Sequence, residues 1–234
     1  MHFIRVNVSH GDNLNSFHIY ADLLTSRSEF FKKALSRAWK EAEERKVDLP
    51  EVDTAVFKLY LNHIYTGELA VIPVPLPKEH KNMYVGVAEK KRLAELYVLA
   101  KLLQDVKCKN AVLKAFIAST YTKHPDGEWY TPGSSIVHII YSGTPDKSLM
   151  RRFVVDLYTE FAEEGWVVKA SRWPTDFIHE LTLSPVALLT MREKTEGWHI
   201  WRLKKLRALE QRYKVQLRNQ RDYAGQVQTV LEHT

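Results

Sequence analysis

The chain opens on two short β-prone runs, "FIRVNV" at 3–8 and "SFHIYA" at 16–21, with the polar stretch "SHGDNLN" between them. Gly11, Asp12 and Asn13 are turn formers, so this pattern predicts a β-hairpin. The spacing then changes. In "ADLLTSRSEFFKKALSRAWK", Leu23, Leu24, Phe30, Phe31, Leu35, Ala38 and Trp39 recur at helical intervals, and Ser26 or Ser28 can cap a new helix ahead of Glu29. Two helices meeting near 26–28 are predicted. After the charged run "KEAEERK", "VDLP" reads as a strand ended by Pro50, which has no N–H to give a ladder. Asp53 can cap the following helix, with Val56, Phe57, Tyr60, Leu61 and Ile64 on one face and Gly67 as its left-handed stop.

Pro73, Pro75 and Pro77 at alternate positions predict an extended surface loop. Helical pattern resumes at Ala88. A second helical pair carries Leu93, Leu96, Tyr97, Ala100 and Leu103, then Val106, Ala111, Val112, Leu113 and Phe116. "TKHPDGEWYTPGSS" reads as a linker, and the remainder is helical by pattern: "SIVHIIYS", "DKSLMRRFVVDLYTEFAEEG", "PTDFIHELTLSPVALLTMREK" and a long stretch from Trp198.

Composition narrows the classes. With 234 residues, 45% of them hydrophobic, one or two globular units are expected. No apolar run reaches the ~18 residues of a membrane span, and the start lacks a basic region followed by an apolar block. A soluble intracellular protein, cytoplasmic or nuclear and without a membrane partner, is expected. Cys108 is the only cysteine, so neither an internal disulfide nor a thiolate zinc cluster is encoded. Of the net charge of +6, residues 191–234 hold +5, from ten Lys or Arg against five Asp or Glu. A global nucleic-acid surface is therefore not expected, and attraction to a polyanion would come from the tail alone.

No chemistry is anchored. None of the ten histidines pairs with another at i, i+3 or i+4, "PGSS" lacks the lysine of a phosphate loop, and there is no nucleophile elbow. Glu163 and Glu164 adjoin on a predicted helix and point apart. The expectation is a non-enzyme without cofactor or metal. In the tail, Leu206, Leu209, Tyr213, Leu217, Ala224, Val227 and Leu231 form an apolar stripe, interrupted at Gln220 and weakened by Gly225. Docking on its own helices, coiled-coil pairing and nucleic-acid binding all stay open for it; Leu206, Leu209, Tyr213 and Leu217 are its candidate interface.

The order of these pieces resembles the BTB/POZ domain, a protein-interaction module. The matching stretches are "FHIYADLL" (17–24), "SRSEFFKKAL" (26–35), "KVDLPEVDTAVFKLYLNHIYTGEL" (46–69) and "LAELYVLAKLL" (93–103). Its signature and core positions fall on Phe17, Leu23, Leu24, Ser28, Phe30, Phe31, Leu49, Pro50, Phe57, Tyr65, Thr66 and Gly67. "IVHIIYSGTPDKSLMRRFVVDLY" is similar to the helical extension of many fungal members. The resemblance implies an α+β fold, a short sheet with helical pairs over 1–122. An all-helical C-terminal region would follow, as an extension over 123–190 and a basic amphipathic helix over 191–234.

It also implies protein partners, with a homodimer expected. In transcription-factor members an acidic residue on the first strand and a basic one after the second line a co-repressor groove. Here Arg5 to Val8 offers no acid and Ala21 no base, so that function is not carried over. Ligase adaptors of the family place a hydrophobic-x-Glu contact to a cullin scaffold where this chain has Trp39, Lys40 and Glu41. The plainer alternative is that Trp39 packs on its own helix and Glu41 is solvated. The other functional class is a nucleic-acid or chromatin-associated factor acting through the basic terminal helix.

Overall fold

The computed structural model describes residues 2–11, 13–36, 44–72, 85–123, 129–161, 170–183, 208 and 211–213. The chain divides into two compact units: Met1–Phe116 with Ser142–Thr144, and Ile117–Tyr141 with Pro145–Thr234.

In the first unit β1 (Phe3–His10) and β2 (Asn13–Tyr20) form an antiparallel hairpin. Gly11 takes the left-handed conformation at φ +57, and the ladder closes at His10↔Asn13. Both strands thus run further into the polar stretch than the apolar pattern predicts, because pairing continues to the turn whatever the side chains. β3 (Lys46–Pro50) joins the other edge of β1 in parallel, giving the order β2-β1-β3. Ile4, Val6 and Val8 point inward with Ile19, Val47 and Leu49, all nearly fully buried.

The hairpin feeds straight into α1 (Ala21–Arg27), and α2 (Glu29–Ala34) follows at once. Ser28 divides them: its backbone is extended and its Oγ accepts from Phe31 N at 3.2 Å. Ser26, the other predicted cap, donates instead to the Leu23 carbonyl at 2.9 Å. α3 (Thr54–Thr66) starts at Asp53, whose Oδ1 accepts from Ala55 N and Val56 N at 2.8 and 3.0 Å, and stops at Gly67, at φ +79. Its buried face holds Val56, Phe57, Tyr60 and Ile64 as predicted. His63 is buried too, whereas Leu61 is only half-buried. Position 63 lies three residues from Tyr60 and seven from Val56, on the Val56 edge of the stripe, whereas position 61 lies beyond its opposite edge, next to Phe57.

α4 (Val85–Leu102) begins three residues ahead of Ala88, and α5 (Val106–Tyr121) completes the second pair. Leu93, Leu96, Tyr97, Ala100, Leu103, Val112, Leu113 and Phe116 are buried. Val106, the first residue of α5, is 44% exposed, and Ala111 is half-buried, so both fall off the predicted stripe.

The described elements after these are helical: α6 (Ser134–Gly143), α7 (Leu149–Phe161), a 3-10 turn at Ala170–Arg172 and α8 (Thr175–Thr182). In the second unit Phe177 packs against Tyr141, Tyr158 and Trp173 at ring distances of 5.6, 5.2 and 5.4 Å. Buried Arg151 donates to Asp146 at 2.8 Å and to the Tyr141 carbonyl at 2.7 Å, and its guanidinium lies 4.4 Å over the Tyr141 ring. The architecture is α+β followed by a helical C-terminal region. No described helix is long and apolar enough to cross a membrane.

Candidate functional site

The signature residues divide by role. Leu24, Ser28, Phe31, Leu49 and Phe57 are buried, and Phe17, Leu23 and Phe30 are half-buried around them. The Phe57 ring lies 5.2 Å from Phe17 and 6.1 Å from Tyr60, so strand β2 and helix α3 meet through aromatic contact. Pro50, Tyr65, Thr66 and Gly67 are exposed, so these signature positions lie outside the core. They stand at the ends of β3 and α3, and they shape the stop. Thr66 Oγ1 donates to the Asn62 carbonyl at 2.7 Å and accepts from Glu68 N at 3.0 Å, while the Tyr65 ring remains 53% exposed.

Behind this core lies a buried polar hub centred on Asp105, which is fully buried. Its Oδ1 accepts from Cys108 N at 2.8 Å and thereby caps α5. Its Oδ2 faces Arg27 Nε at 3.4 Å and Tyr60 O–H at 3.3 Å, both at the long end of hydrogen-bonding range. Arg27 Nη2 lies 3.4 Å from His63 Nε2. A guanidinium can only donate, so neutral His63 accepts there. Ser28 Oγ donates to the Leu103 carbonyl, two residues ahead of Asp105. These contacts tie the α1–α2 junction to α3 and to the turn between α4 and α5.

The electrostatics suit a scaffold. Burial, with the Asp105 charge adding to it, pushes the Tyr60 hydroxyl and the Cys108 thiol far up, so neither ionises near neutrality. Burial and then Arg27 hold His63 below the ordinary imidazole value of 6.5; Asp105 and the backbone at Glu68 and Gly67 work the other way. Because the folded-state value is lowered, the unfolded chain binds more protons below pH 6.5. Stability contributed by neutral His63 is therefore full above that pH and is lost as the pH falls through the window beneath it. Melting temperatures between about pH 7.5 and about pH 5 should fall more steeply for wild type than for His63→Gln. Parallel curves would show that His63 does not titrate with folding.

Sequence reasoning passed over this hub. Asp105 just before Val106 is a cap signal within reach of the sequence, but its partner Arg27 stands 78 positions away in the chain.

The opposite, solvent face of the sheet carries three rows set by register. Phe3 pairs with Tyr20, their rings 4.2 Å apart and Phe3 49% exposed. Arg5 stands between His18 and Lys46, and Asn7 between Ser16 and Asp48. The last row is a hydrogen-bonded chain: Ser16 Oγ donates to Asn7 Oδ1 at 2.7 Å, and Asn7 Nδ2 donates to Asp48 Oδ1 at 2.7 Å.

Trp39, Lys40 and Glu41 lie outside the described residues, as do Leu206, Leu209 and Leu217 and the loop with Pro73, Pro75 and Pro77. Tyr213 is described. It is 1% exposed, meets Phe153 of α7 edge-on at 5.3 Å and donates to Asp156 at 2.9 Å, so this tail residue packs on the chain's own helix. Among the described residues no group of three His, Cys, Asp or Glu side chains gathers to hold a metal ion.

No curated protein matches the chain. A family model for the BTB/POZ domain matches residues 11–120, from the hairpin turn through α5. The hairpin, the parallel third strand, the capped helix stopping at Tyr65-Thr66-Gly67 and the α4–α5 pair all lie in or against that segment. Residues 11–120 of the chain are a BTB/POZ domain, a protein-interaction module.

Proposed function

We propose that this chain is a non-catalytic module that self-associates through its BTB/POZ domain and recruits a second protein, a cullin-type ubiquitin ligase scaffold, as a substrate adaptor in the cytoplasm or nucleus. The observation that carries this reading is the family match over residues 11–120. Self-association draws further support from β2, an edge strand of the sheet with Leu14 65% exposed on it. The layout we propose is a BTB/POZ domain over 1–122, a helical extension over 123–190 and a terminal helix over 191–234. For that last helix we favour docking in cis, supported by the burial of Tyr213.

The cullin contact rests on the position of Trp39-Lys40-Glu41, ahead of the strand that enters Leu49-Pro50. An apolar ring would enter a groove on the scaffold while the carboxylate takes a donor. Removing an aromatic anchor of this kind typically costs about 2 kcal/mol, close to 30-fold in affinity. Trp39→Ala is read beside a melting curve, since the ring can also serve the fold. Glu41→Lys is the cleaner probe, because it sets a like charge against the donor. Wild-type protein purified from its native cell should bring down a cullin, and Glu41→Lys should lose it at unchanged melting temperature. Absence of any cullin from the wild-type eluate would remove the adaptor role and leave an interaction module.

A further inference from the structure

Arg5 is placed where a sheet built for stability alone would not place it. Cross-strand register sets it directly beside His18 on β2 and Lys46 on β3, all three on the solvent face. Arg5 and Lys46 are like charges directly opposite one another, which destabilises a sheet. Lys46 is partly relieved by Asp48, at 2.9 Å. Among the described residues, Arg5 and His18 have no side-chain hydrogen bond or ion pair.

The neighbouring rows restrict what could use these donors. On one side, about 7 Å along β1, is the exposed Phe3–Tyr20 pair. On the other is Asp48, held in the Ser16–Asn7–Asp48 chain, which repels an anion that continues in that direction. The three basic side chains span about 10 Å across the strands. A nucleic-acid strand needs a longer cationic track, commonly 6–10 phosphate contacts. A carboxylate or two beside an apolar side chain fits the dimensions and the polarity.

We propose that this sheet face binds a short acidic peptide segment of a partner protein, its carboxylates on Arg5, His18 and Lys46 and an adjacent apolar side chain on Phe3 and Tyr20. This rests on the interaction-module reading, but not on self-association or on a cullin.

The test is selection of a phage-displayed random peptide library on the full chain, wild type and Arg5→Glu in parallel. Wild type should enrich Asp or Glu next to Phe, Leu or Trp, and Arg5→Glu should not. A synthetic peptide from the wild-type pool should bind Arg5→Glu about tenfold more weakly. The melting temperature of Arg5→Glu should be equal or higher, since Glu opposite Lys46 replaces repulsion with attraction. Enrichment without acidic residues, peptide binding indifferent to Arg5→Glu, or a lower melting temperature for that variant would each overturn the proposal. So would a labelled single-stranded oligonucleotide that binds this face more tightly than the selected peptide. If the selection fails while the chain still self-associates in light scattering, this site is wrong and the module reading stands.

Discussion

Asp105→Ala is expected to destabilise the first unit by about 4 kcal/mol. Removing one partner of a buried ionic contact commonly costs 3–5 kcal/mol, because the remaining charge and donors keep their desolvation without compensation. Here three groups are stranded at once: the Arg27 guanidinium, the buried Tyr60 hydroxyl and the Cys108 N–H at the start of α5. Arg27 is 21% exposed and can recover part of its solvation, which keeps the expected loss from the top of the range. Asp105→Asn keeps one oxygen that can cap Cys108 N but sets an NH2 donor where the second oxygen faced Arg27 and Tyr60, so it should lose less than the alanine variant without restoring wild-type stability. Hydrogen exchange at the amides of α3 and α5 is the suitable measurement, since a chain of two units need not unfold in one step. An Ala variant within about 1 kcal/mol of wild type would mean that the hub does not hold these helices.

Phe57→Ala should cost a similar amount by a different route. Phe57 is fully buried between Phe17 on β2 and Tyr60 on its own helix, so truncation removes the ring's burial and leaves a cavity between strand and helix. Such substitutions cost about 3–5 kcal/mol, and the amount depends on how far the site collapses. Phe57→Leu keeps most of the apolar volume and should cost about 1 kcal/mol. Exchange of the β2 and α3 amides should speed up together in Phe57→Ala. Acceleration confined to α3 would show that the ring does not join the two elements.

Local rules made much of the first unit readable. Ser28, Asp53 and Gly67 act within one turn of their own positions, so residue type and spacing place the helix ends. Hydrophobicity favours Leu61 over His63 on α3, but both stand at edges of the stripe, and the edge that is buried is the one facing Arg27, a contact that no local pattern shows. Tyr65-Thr66-Gly67 was recognisable as a motif with Gly67 as the stop, whereas the exposure of Tyr65 depends on where α3 ends against the core. The Arg27–Asp105 contact lay beyond sequence reasoning, since neither residue shows which distant partner the packing of α1 against the α4–α5 turn will bring to it. The basic row was hidden for a related reason. Arg5 and His18 could be paired from the hairpin, but Lys46 joins them only through the parallel register of a strand some forty residues on.

Multi-angle light scattering of the full chain at tens of micromolar tests self-association of the BTB/POZ domain most directly. The expected result is a mass of twice the chain's 27.3 kDa, moving toward one chain mass on dilution. A single species of 27.3 kDa at the highest concentration reached would contradict it.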